Sequence, residues 1–407
     1  MNIWLVSIFE QTPVDNVFST RFLSVADEAL SRGHKVTFFG STFKHNTKNQ
    51  RFDKTTEINY ADNYDLVFIK SMTYSGNVSP KRLWSHYVFS KNARSEFEKR
   101  FHSGDKPDVI LMAYPPVSLA FETSEWAVKK GIPIVADIID PWPDLFALAA
   151  PDSLKGVANT ALKPLQLKFK RTLKNLNKLT SISNQYLAWA KEYHPVDKTE
   201  CLYPAADFTV INDKVKNAEQ VPGFDEKKLK VIYAGSLASS YDIKTILGAA
   251  DLLRENKEIH FFIAGAGPQE SAIKAYMNDH RNVTFLGRLP KEELMRYYAA
   301  SDLGMTQHIK GATQSVTYKL FDLLSAGLPI LNSLESEMKK IIVDNNVGLH
   351  NDPGDAKQLA TNISYFYDNP EKLKQYKENG LNLAKKEGDV RVIYKRFVDL
   401  LEEEAKS

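Results

Sequence analysis

The chain has 407 residues, about twice the length of a typical single domain, so two domains are expected. Hydrophobic residues make up 43% of it and charged residues 25%, as in soluble globular proteins, and the net charge of +3 gives no indication of a nucleic-acid partner. The single cysteine, Cys201, excludes an intramolecular disulfide and a multi-cysteine zinc site. No apolar run reaches the roughly 18–20 residues of a membrane-spanning helix and no signal peptide is recognisable, so we expect a cytoplasmic protein.

The first half of the chain alternates short apolar runs with helical patterns, which is typical of βαβ units and a mainly parallel sheet. Helices are predicted at residues 21–32 and 122–130, and Gly33 and Gly131 are placed to end them. Strands are predicted at 3–8, 35–39, 66–69, 109–112 and 134–139.

The same alternation restarts near residue 229, which predicts a second α/β domain. Its strands are predicted at 230–233, 259–264, 283–286, 303–306 and 329–332. Its helices are predicted at 243–254, 270–279, 291–300 and 316–326, and residues 355–404 are predicted to be wholly helical. The two domains are expected to join around residues 204–228, where a polar stretch contains Pro222-Gly223.

Residues 162–179, between the two halves, are rich in lysine and arginine. One interpretation is a solvated amphipathic helix, because basic helices of moderate amphipathicity are common. The other is a surface that rests on anionic lipid, which would place the protein peripherally on the cytoplasmic face of the membrane. The sequence leaves both interpretations open.

The segment 313–332 carries the most chemical information. Ser315 or Thr317 can cap the predicted helix, and Lys319 and Asp322 lie three residues apart on one face of it. Asp322 can accept two hydrogen bonds from a vicinal diol such as a ribose. The helix N-terminus and Lys319 can meet a diphosphate. The alternative is an ordinary amphipathic helix with a surface lysine and aspartate.

This segment resembles the donor-site helix of family 4 glycosyltransferases, in which two glutamates eight positions apart precede a Gly-x-Pro. Asp322 stands at the second acidic position and Gln314 at the first. The resemblance implies that Asp322 binds the donor ribose and that Gln314 lies near the transferred sugar. A subset of bacterial polysaccharide transferases also has a lysine three residues before the acidic position, where this chain has Lys319.

Further landmarks follow in the order of that family, and they cover nearly the whole chain. They are residues 33–37 (GHKVT), 107–109 (PDV), 136–144 (ADIIDPWPD), 231–237 (VIYAGSL), 261–268 (FFIAGAGP) and 283–288 (VTFLGR). The resemblance implies an α/β protein of the GT-B class, with two Rossmann-like domains facing each other across a cleft. We expect an acceptor-binding domain at 1–207, with a helix at about 388–407 packing back on it, and a donor-binding domain at 208–387. His34 is expected to be structural.

The resemblance also indicates donor-binding positions. The family commonly has an arginine and a lysine where this chain has Ser236 and Tyr241, so the diphosphate must be neutralised by other cations. The candidates are Lys319, Lys244, Arg288 and Arg21. The full predicted donor set is Gly235, Ser236, Tyr241, Lys244, Gly265, Gly287, Arg288, Ser315, Val316, Thr317 and Asp322.

The first domain is expected to hold the acceptor. Asp15 and Asn16 occupy the loop where the family has a glycine pair, and Arg21 follows it. Asp137 and Asp140 flank the loop that faces the acceptor in related enzymes, and Trp142 can stack on a sugar ring. The equally weighted alternative is a loop capped by aspartate and stiffened by proline. The predicted catalytic residues are Asp137, Asp140, Lys319 and Gln314.

The resemblance implies a retaining enzyme that moves a sugar from a UDP- or GDP-sugar to a lipid-linked or polysaccharide acceptor in bacterial surface glycan synthesis. No cofactor or metal is expected, because no Asp-x-Asp motif is supported by a third ligand. Two alternatives stay open, a non-catalytic partner subunit of a glycosyltransferase complex and a nucleotide-sugar 2-epimerase. A nicotinamide-dependent enzyme is excluded by the lack of a Gly-x-Gly-x-x-Gly motif after a strand.

Overall fold

The computed structural model describes residues 1–15, 20–76, 79–148, 151–219, 221 and 228–406. The chain divides into two compact units, the first formed by Met1–Tyr203 with Tyr394–Ser407 and the second by Pro204–Ile393. The predicted domains, 1–207 with a returning helix at 388–407 and then 208–387, differ from these units by a few residues at each crossover. Across the described ranges, no helix is both long enough and apolar enough to cross a membrane.

The first unit is built on an eight-stranded sheet with the order β10-β9-β8-β7-β1-β2-β6-β5. All neighbouring strands pair in parallel except the edge pair β5–β6, which is antiparallel. The strands of this unit, including the separate hairpin β3–β4, are β1 (Asn2–Val6), β2 (Lys35–Ser41), β3 (Phe43–Lys44), β4 (Asn49–Gln50), β5 (Thr56–Ala61), β6 (Tyr64–Ile69), β7 (Val109–Tyr114), β8 (Ile134–Ile138), β9 (Lys178–Ser181) and β10 (Thr199–Cys201).

Helices cover the sheet of the first unit, and the central strand β7 is buried along its whole length. This explains why it reads as a continuous apolar run, since parallel strands are covered on both faces. Gly131 ends a helix in the left-handed conformation (φ 67°), as its position predicted. The helices are α1 (Arg21–Ser31), α2 (Pro80–His102), α3 (Val117–Lys130), α4 (Asp144–Leu148), α5 (Lys155–Asn175) and α6 (Asn184–Tyr193).

The second unit is built on a six-stranded, fully parallel sheet with the order β13-β12-β11-β14-β15-β16. Its strands are β11 (Leu229–Ala234), β12 (Ile259–Ala264), β13 (Val283–Gly287), β14 (Leu303–Thr306), β15 (Ile330–Asn332) and β16 (Gly348–His350). Its helices are α7 (Phe208–Lys216), α8 (Ile243–Leu252), α9 (Glu270–Asp279), α10 (Lys291–Ala299), α11 (Lys319–Ser325), α12 (Glu337–Asp344), α13 (Ala356–Asp368) and α14 (Pro370–Leu383).

Strand order reverses once in each sheet, between β1 and β7 in the first unit and between β11 and β14 in the second. Open parallel sheets bind ligands at the carboxyl ends of the strands that flank such a reversal. The α/β class predicted from the sequence is confirmed, and these two edges are where functional residues are expected.

The two crossover segments of the second unit lie side by side. The Ala206 amide donates to the Gly388 carbonyl (2.8 Å), and the Val390 amide donates to the Ala206 carbonyl (3.0 Å). The predicted joining stretch contains helix α7, and Pro222-Gly223 lies outside the described residues.

The C-terminal segment is helical as predicted, apart from a π-helical turn at Ala384–Gly388 and the short connections between helices. Its last helix, α15 (Val390–Ala405), binds the first unit through its later turns. Arg32 donates to Asp399 (2.7 Å) and His34 lies 2.9 Å from Glu402. His34 is therefore structural, as expected.

Candidate active site

Three glycine turns meet at the carboxyl ends of β11, β12 and β13. Gly235 and Gly265 have φ values of 149° and 154°, which residues other than glycine rarely adopt. A Cβ atom on Gly265 would lie 1.9 Å from the Gly235 carbonyl oxygen, and the Gly265 amide donates to the Gly287 carbonyl (2.7 Å). Gly265 and Gly287 therefore hold the turns together, and Gly235 lies at the point where the strand order reverses.

Lys319, the first residue of α11, reaches this reversal point. Its Nζ is buried and has no hydrogen-bond partner among the described residues. It lies 4.2 Å from the centroid of the Tyr233 ring and 4.5 Å from that of Tyr241, and a Cβ atom on Gly235 would lie 2.5 Å from it. Burial lowers the pKa of Lys319 to about 7. The site thus contains a buried amine beside a glycine turn, with aromatic faces around it.

His308 and Gln314 each present another unsatisfied polar atom. His308 Nε2 and Gln314 Oε1 are both buried without a hydrogen-bond partner in the part of the chain that the structure describes. Burial and then the charge of Lys319 lower the pKa of His308 to about 4, so its imidazole is neutral at neutral pH. Buried polar atoms are normally hydrogen-bonded in native proteins, so these two atoms have hydrogen-bonding capacity left for a polar ligand. His308 was not singled out from the sequence, because it belongs to no motif.

The predicted start of the donor-site helix is wrong. Helix α11 begins at Lys319, three residues later than expected, and its N-cap residue Tyr318 makes no side-chain cap. Ser315 and Val316 are buried, and the Ser315 carbonyl accepts a hydrogen bond from Ser336 (2.5 Å). Thr317 donates to the sulfur of Met338 (3.6 Å). These contacts hold the segment before Lys319 against α12, so neither Ser315 nor Thr317 caps α11.

Asp322 lies in the same helix with its side chain half-buried. Burial raises the pKa of its carboxyl to about 6, and Lys291 opposes this rise. None of the described residues donates a hydrogen bond to the carboxylate, and it makes no ion pair with Lys319. Asp322 is therefore able to accept hydrogen bonds from a ligand, and its role as a ribose-binding residue stays a prediction.

The other predicted donor residues lie less favourably. Lys244 and Arg288 are exposed at the surface. Ser236 is occupied locally, because its Oγ accepts from the Ala238 amide (3.2 Å). The N-terminus of α8 is capped by Asp242, whose carboxylate accepts from the Thr245 amide (3.0 Å). A carboxylate at that position repels a phosphate, so this helix end does not favour a diphosphate.

Arg21 and Asp137 form a buried ion pair in the first unit. Arg21 Nε and Nη2 donate to the two carboxylate oxygens of Asp137 (2.6 and 3.0 Å), and Thr180 donates a third hydrogen bond (2.8 Å). Both charged side chains are at most 1% exposed. The predictions of Asp137 as a catalytic residue and of Arg21 as a cation for ligand are thereby corrected, because neither side chain is accessible.

Asp15 is likewise occupied. Its carboxylate accepts from Arg51 (2.6 Å), from Lys44 (2.6 Å) and from the Thr12 amide (2.8 Å), which hold its pKa far below the usual range despite burial. Asp15 therefore stabilises its own loop, and its carboxylate is not available to bind the sugar acceptor. Asn16 lies outside the described residues.

The other two acceptor candidates belong to a polar and aromatic group at the carboxyl edge of the first sheet. We call it the Arg82 cluster; its members are Phe9, His45, Lys48, Tyr74, Arg82, His86, Asp140 and Trp142. The Arg82 guanidinium lies 4.9 Å from the Trp142 ring centroid, and Arg82 is the charged residue that interacts with Asp140. Asp140 is exposed, and desolvation by the surrounding protein raises the pKa of its carboxyl to about 6. Trp142 is 7% exposed and packs in the core of the first unit, so its predicted stacking on a sugar ring is corrected, whereas the predicted role of Asp140 stays a prediction.

Glu10 also lies at this edge, directly after β1, and the sequence did not indicate it. Burial raises the pKa of its carboxyl to about 7, although the nearby Arg21 favours the charged form. Its neighbour Asp137 is far away in the sequence, so no local pattern could have singled it out.

One group of side chains could hold a metal ion. Glu335, His350 and Asp352 place three ligand atoms within 4.8 Å of one another beside the edge strand β16. Lys339 binds Glu335 (3.2 Å) and competes with a cation there. These residues belong to none of the predicted donor or acceptor positions.

Comparisons with known proteins agree with this geometry. Residues 214–383 match the family model of glycosyl transferases group 1, whereas no curated protein matches the chain. Among solved structures, sucrose-phosphate synthase from Thermosynechococcus elongatus is 16% identical, over 99% of this chain and 98% of that one, with a TM-score of 0.73.

Two further solved structures share the fold over nearly their whole length. Anabaena HepE in complex with UDP is 13% identical over 99% of this chain and 100% of that one, with a TM-score of 0.68. WaaG, a glycosyltransferase involved in lipopolysaccharide biosynthesis, is 16% identical over 98% of this chain and 99% of that one, with a TM-score of 0.64. The chain therefore has the GT-B fold, residues 214–383 form a group 1 glycosyltransferase domain, and the protein is a glycosyltransferase that resembles family 4.

Proposed function

We propose that the protein transfers a sugar from a UDP- or GDP-sugar to a lipid-linked or polysaccharide acceptor, with retention of configuration, in bacterial surface glycan synthesis. The observation that carries the proposal is Lys319. Its amine is buried without a described hydrogen-bond partner, beside the glycine turn at the reversal point of the second sheet. A buried cation is costly unless a negative charge compensates it, and a donor diphosphate supplies that charge.

Lys319 would act on the leaving group. Breaking the bond between sugar and diphosphate leaves negative charge on the nucleoside diphosphate, and a fixed cation in a desolvated site stabilises it strongly. The pKa of Lys319 is about 7 without ligand, so binding an anion would raise it and draw in a proton near neutral pH. Lys319 would thus replace the cations that the family has at the positions of Ser236 and Tyr241.

Asp322 and Gln314 would fix the rest of the donor. The carboxylate of Asp322 has no described partner and would accept hydrogen bonds from the two ribose hydroxyls. The buried Oε1 of Gln314 would accept from a hydroxyl of the transferred sugar. Because the amide of Gln314 carries no charge, we propose that it positions this sugar without stabilising positive charge on it.

The structural neighbours support parts of this proposal. HepE has been solved with UDP and with UDP-glucose, which favours a uridine donor. WaaG acts in lipopolysaccharide biosynthesis, which supports a surface-glycan role, whereas sucrose-phosphate synthase favours a small soluble acceptor. Work on trehalose-6-phosphate synthase concerns transfer with retention, which supports the proposed stereochemistry.

We propose that transfer requires no metal ion, with Lys319 compensating the charge of the diphosphate. Turnover should then be the same in EDTA as in Mg²⁺ or Mn²⁺. Loss of turnover in EDTA would contradict the proposal, and His350→Ala would then test whether the metal acts at Glu335, His350 and Asp352.

We also propose a peripheral contact with the membrane through the exposed face of α5. No described residue of this helix is buried before Phe169, and Val157 and Leu167 are each 68% exposed. Lysines accompany these apolar side chains, a composition that suits the surface of an anionic bilayer. Co-sedimentation with phosphatidylglycerol vesicles should fall in the triple variant K163Q/K170Q/K174Q. Equal binding to phosphatidylcholine vesicles would contradict this contact.

The central test is calorimetric titration of the whole chain with UDP and GDP, followed by turnover of the sugar nucleotide that binds. One nucleotide should bind, and Lys319→Met should weaken binding while Lys244→Met, an exposed lysine of the same unit, should not. A ligand at 100 times its Kd would also raise the free energy of unfolding by about 2.7 kcal/mol. Failure of both nucleotides to bind would contradict the proposal, and conversion of UDP-N-acetylglucosamine without acceptor would favour the epimerase alternative.

A further inference from the structure

We propose that the Arg82 cluster binds a phosphoryl group carried by the acceptor. This inference rests on the proposed function insofar as it assigns the acceptor to the first unit. It adds the chemical class of that acceptor, a phosphorylated sugar or a polyprenyl phosphate, which share a phosphate oxyanion next to an apolar or ring surface.

The cluster lies at the positive end of a long helix. Helix α2 begins at Pro80, and its first turn contains Lys81 and Arg82 and no acidic residue. Acidic side chains are favoured at this end of a helix because they offset its dipole, so the partly buried guanidinium of Arg82 there is unfavourable by itself, whereas Lys81 is exposed to water. An anion bound beside Arg82 would compensate both the guanidinium and the helix end.

His86, one turn later, provides independent evidence for a ligand. Its residue exposure is 2%, and neither of its ring nitrogens has a hydrogen-bond partner among the described residues. The ring lies 5.3 Å from Phe9 and 5.8 Å from Trp142, measured between centroids. Burial and then Arg82 lower the pKa of His86 to about 3, so it is neutral and carries one N–H donor. A buried donor without an acceptor indicates that a ligand supplies one.

His45 and Lys48 add donors from a different segment. His45 Nδ1 lies 2.7 Å from the Tyr74 hydroxyl and 3.2 Å from Lys48 Nζ, and an ammonium can only donate. Nδ1 is therefore the acceptor, and Nε2 carries the proton and can donate to a ligand. Burial, Arg82 and Lys48 lower the pKa of His45 to about 4, which keeps this tautomer neutral.

The charges and donors of the cluster match a phosphoryl group. The cluster contains two cationic side chains, Lys48 and Arg82, and one carboxylate, Asp140, so the sum of its charges is positive. The donors come from two separate segments of the chain and would converge on one group, which suits the three oxygens of a phosphate better than a planar carboxylate. Phe9 and Trp142 lie 5.2 and 4.9 Å from the Arg82 guanidinium, and they offer apolar faces beside the anion. Asp140 would accept a hydrogen bond from an acceptor hydroxyl.

Calorimetry on the full chain tests the inference with three probes. Glucose 6-phosphate represents a phosphorylated sugar, glucose is its uncharged match, and farnesyl phosphate represents a polyprenyl phosphate. One of the two phosphates should bind at least about tenfold more tightly than glucose, because hydrogen bonds to charged groups are worth about that factor or more. The phosphate that binds identifies the source of the group.

The variants are Arg82→Gln and Lys48→Gln, with Lys81→Gln as the matched control in the same helix turn. The first two should each weaken phosphate binding about tenfold or more, and the control should stay within about twofold. UDP titration of every variant checks that the chain is folded, and Lys48→Gln decides the matter if Arg82→Gln disturbs the structure.

The inference is overturned if neither phosphate binds better than glucose, or if Arg82→Gln and Lys48→Gln leave phosphate binding unchanged. Its failure is distinguishable from failure of the proposed function. If only the inference fails, UDP binds and phosphate binding does not depend on the cluster. If the proposed function fails, UDP does not bind the wild-type chain.

Discussion

Two buried cations stand at the same place in their helices, one in each unit. Arg21 is the first residue of α1, and Lys319 is the first residue of α11. Arg21 donates to both oxygens of Asp137 and to the Tyr203 carbonyl, whereas Lys319 Nζ has no described hydrogen-bond partner. Both were candidates for the same task, neutralising the donor diphosphate. A buried cation that is hydrogen-bonded to protein groups stabilises the fold. A buried cation without such partners has the capacity to bind an anionic ligand.

The largest expected effect follows from removing Arg21. Arg21→Met leaves the carboxylate of Asp137 buried without its cation, which should lower the free energy of unfolding by about 3–5 kcal/mol. Urea denaturation followed by tryptophan fluorescence measures this selectively, because all 5 tryptophans of the chain lie in the first unit. The double variant R21M/D137L should regain most of the loss. If Arg21→Met is as stable as the wild type, Arg21 is not a structural cation.

Removing Lys319 should lower turnover strongly and leave the free energy of unfolding unchanged or higher. Lys319→Met should reduce turnover about 10²–10³-fold, as loss of a preorganised group that stabilises developing charge does. The free energy of unfolding should stay equal or rise, because an uncompensated amine leaves a buried site. Steady-state kinetics and urea denaturation followed by circular dichroism measure the two effects. Near-normal turnover in Lys319→Met would refute the assignment of this residue.

Nucleotide binding should depend on pH through both Lys319 and Asp322. In the proposed function Lys319 would bind the diphosphate in its protonated form, so affinity should fall as the pH rises above about 7. Asp322 would accept the ribose hydroxyls in its ionised form, so affinity should also fall as the pH drops below about 6. Calorimetry from pH 5 to 9 should therefore give a bell-shaped profile with its maximum between these values. Lys319→Met should abolish the alkaline limb and Asp322→Asn the acidic limb, and a flat wild-type profile would contradict both assignments.

The smallest effect is expected for the exposed cations of the second unit. Lys244→Gln and Arg288→Gln should each change nucleotide affinity less than about twofold, because exposed charges interact weakly through water. The same titration measures them beside Lys319→Met. A tenfold loss in either variant would show that the diphosphate is held at the surface and not by the buried amine.

Much of the fold could be predicted, because buried parallel strands read as short apolar runs and glycines mark helix ends. Strands β12 and β14 begin and end where predicted. Helix α2 was not predicted, although it is the longest described helix of the first unit. Its buried face contains Ser85, His86 and Arg100, so the apolar period that identifies a helix is weak there.

The site could be predicted only where its residues are close in sequence. The spacing of Lys319 and Asp322 predicted correctly that both residues lie in one helix, and their role in binding the donor stays a prediction. The start of α11 was wrong because contacts with α12 hold Ser315 and Thr317 outside the helix. Arg21 pairs with a residue 116 positions away, which no local pattern shows. The Arg82 cluster collects side chains from several separate segments, so only the fold could bring them together.

The crossovers at Ala206 and at Gly388–Val390 have a practical consequence. Because these two segments are hydrogen-bonded to each other, the stretch Pro204–Ile393 begins and ends at adjacent points and forms an inserted cassette. Such a segment can be exchanged as one piece, with a splice at each crossover. With the donor and the acceptor assigned to separate units as proposed, recombination between relatives at these two points would combine the sugar donor of one enzyme with the acceptor of another without redesigning either sheet.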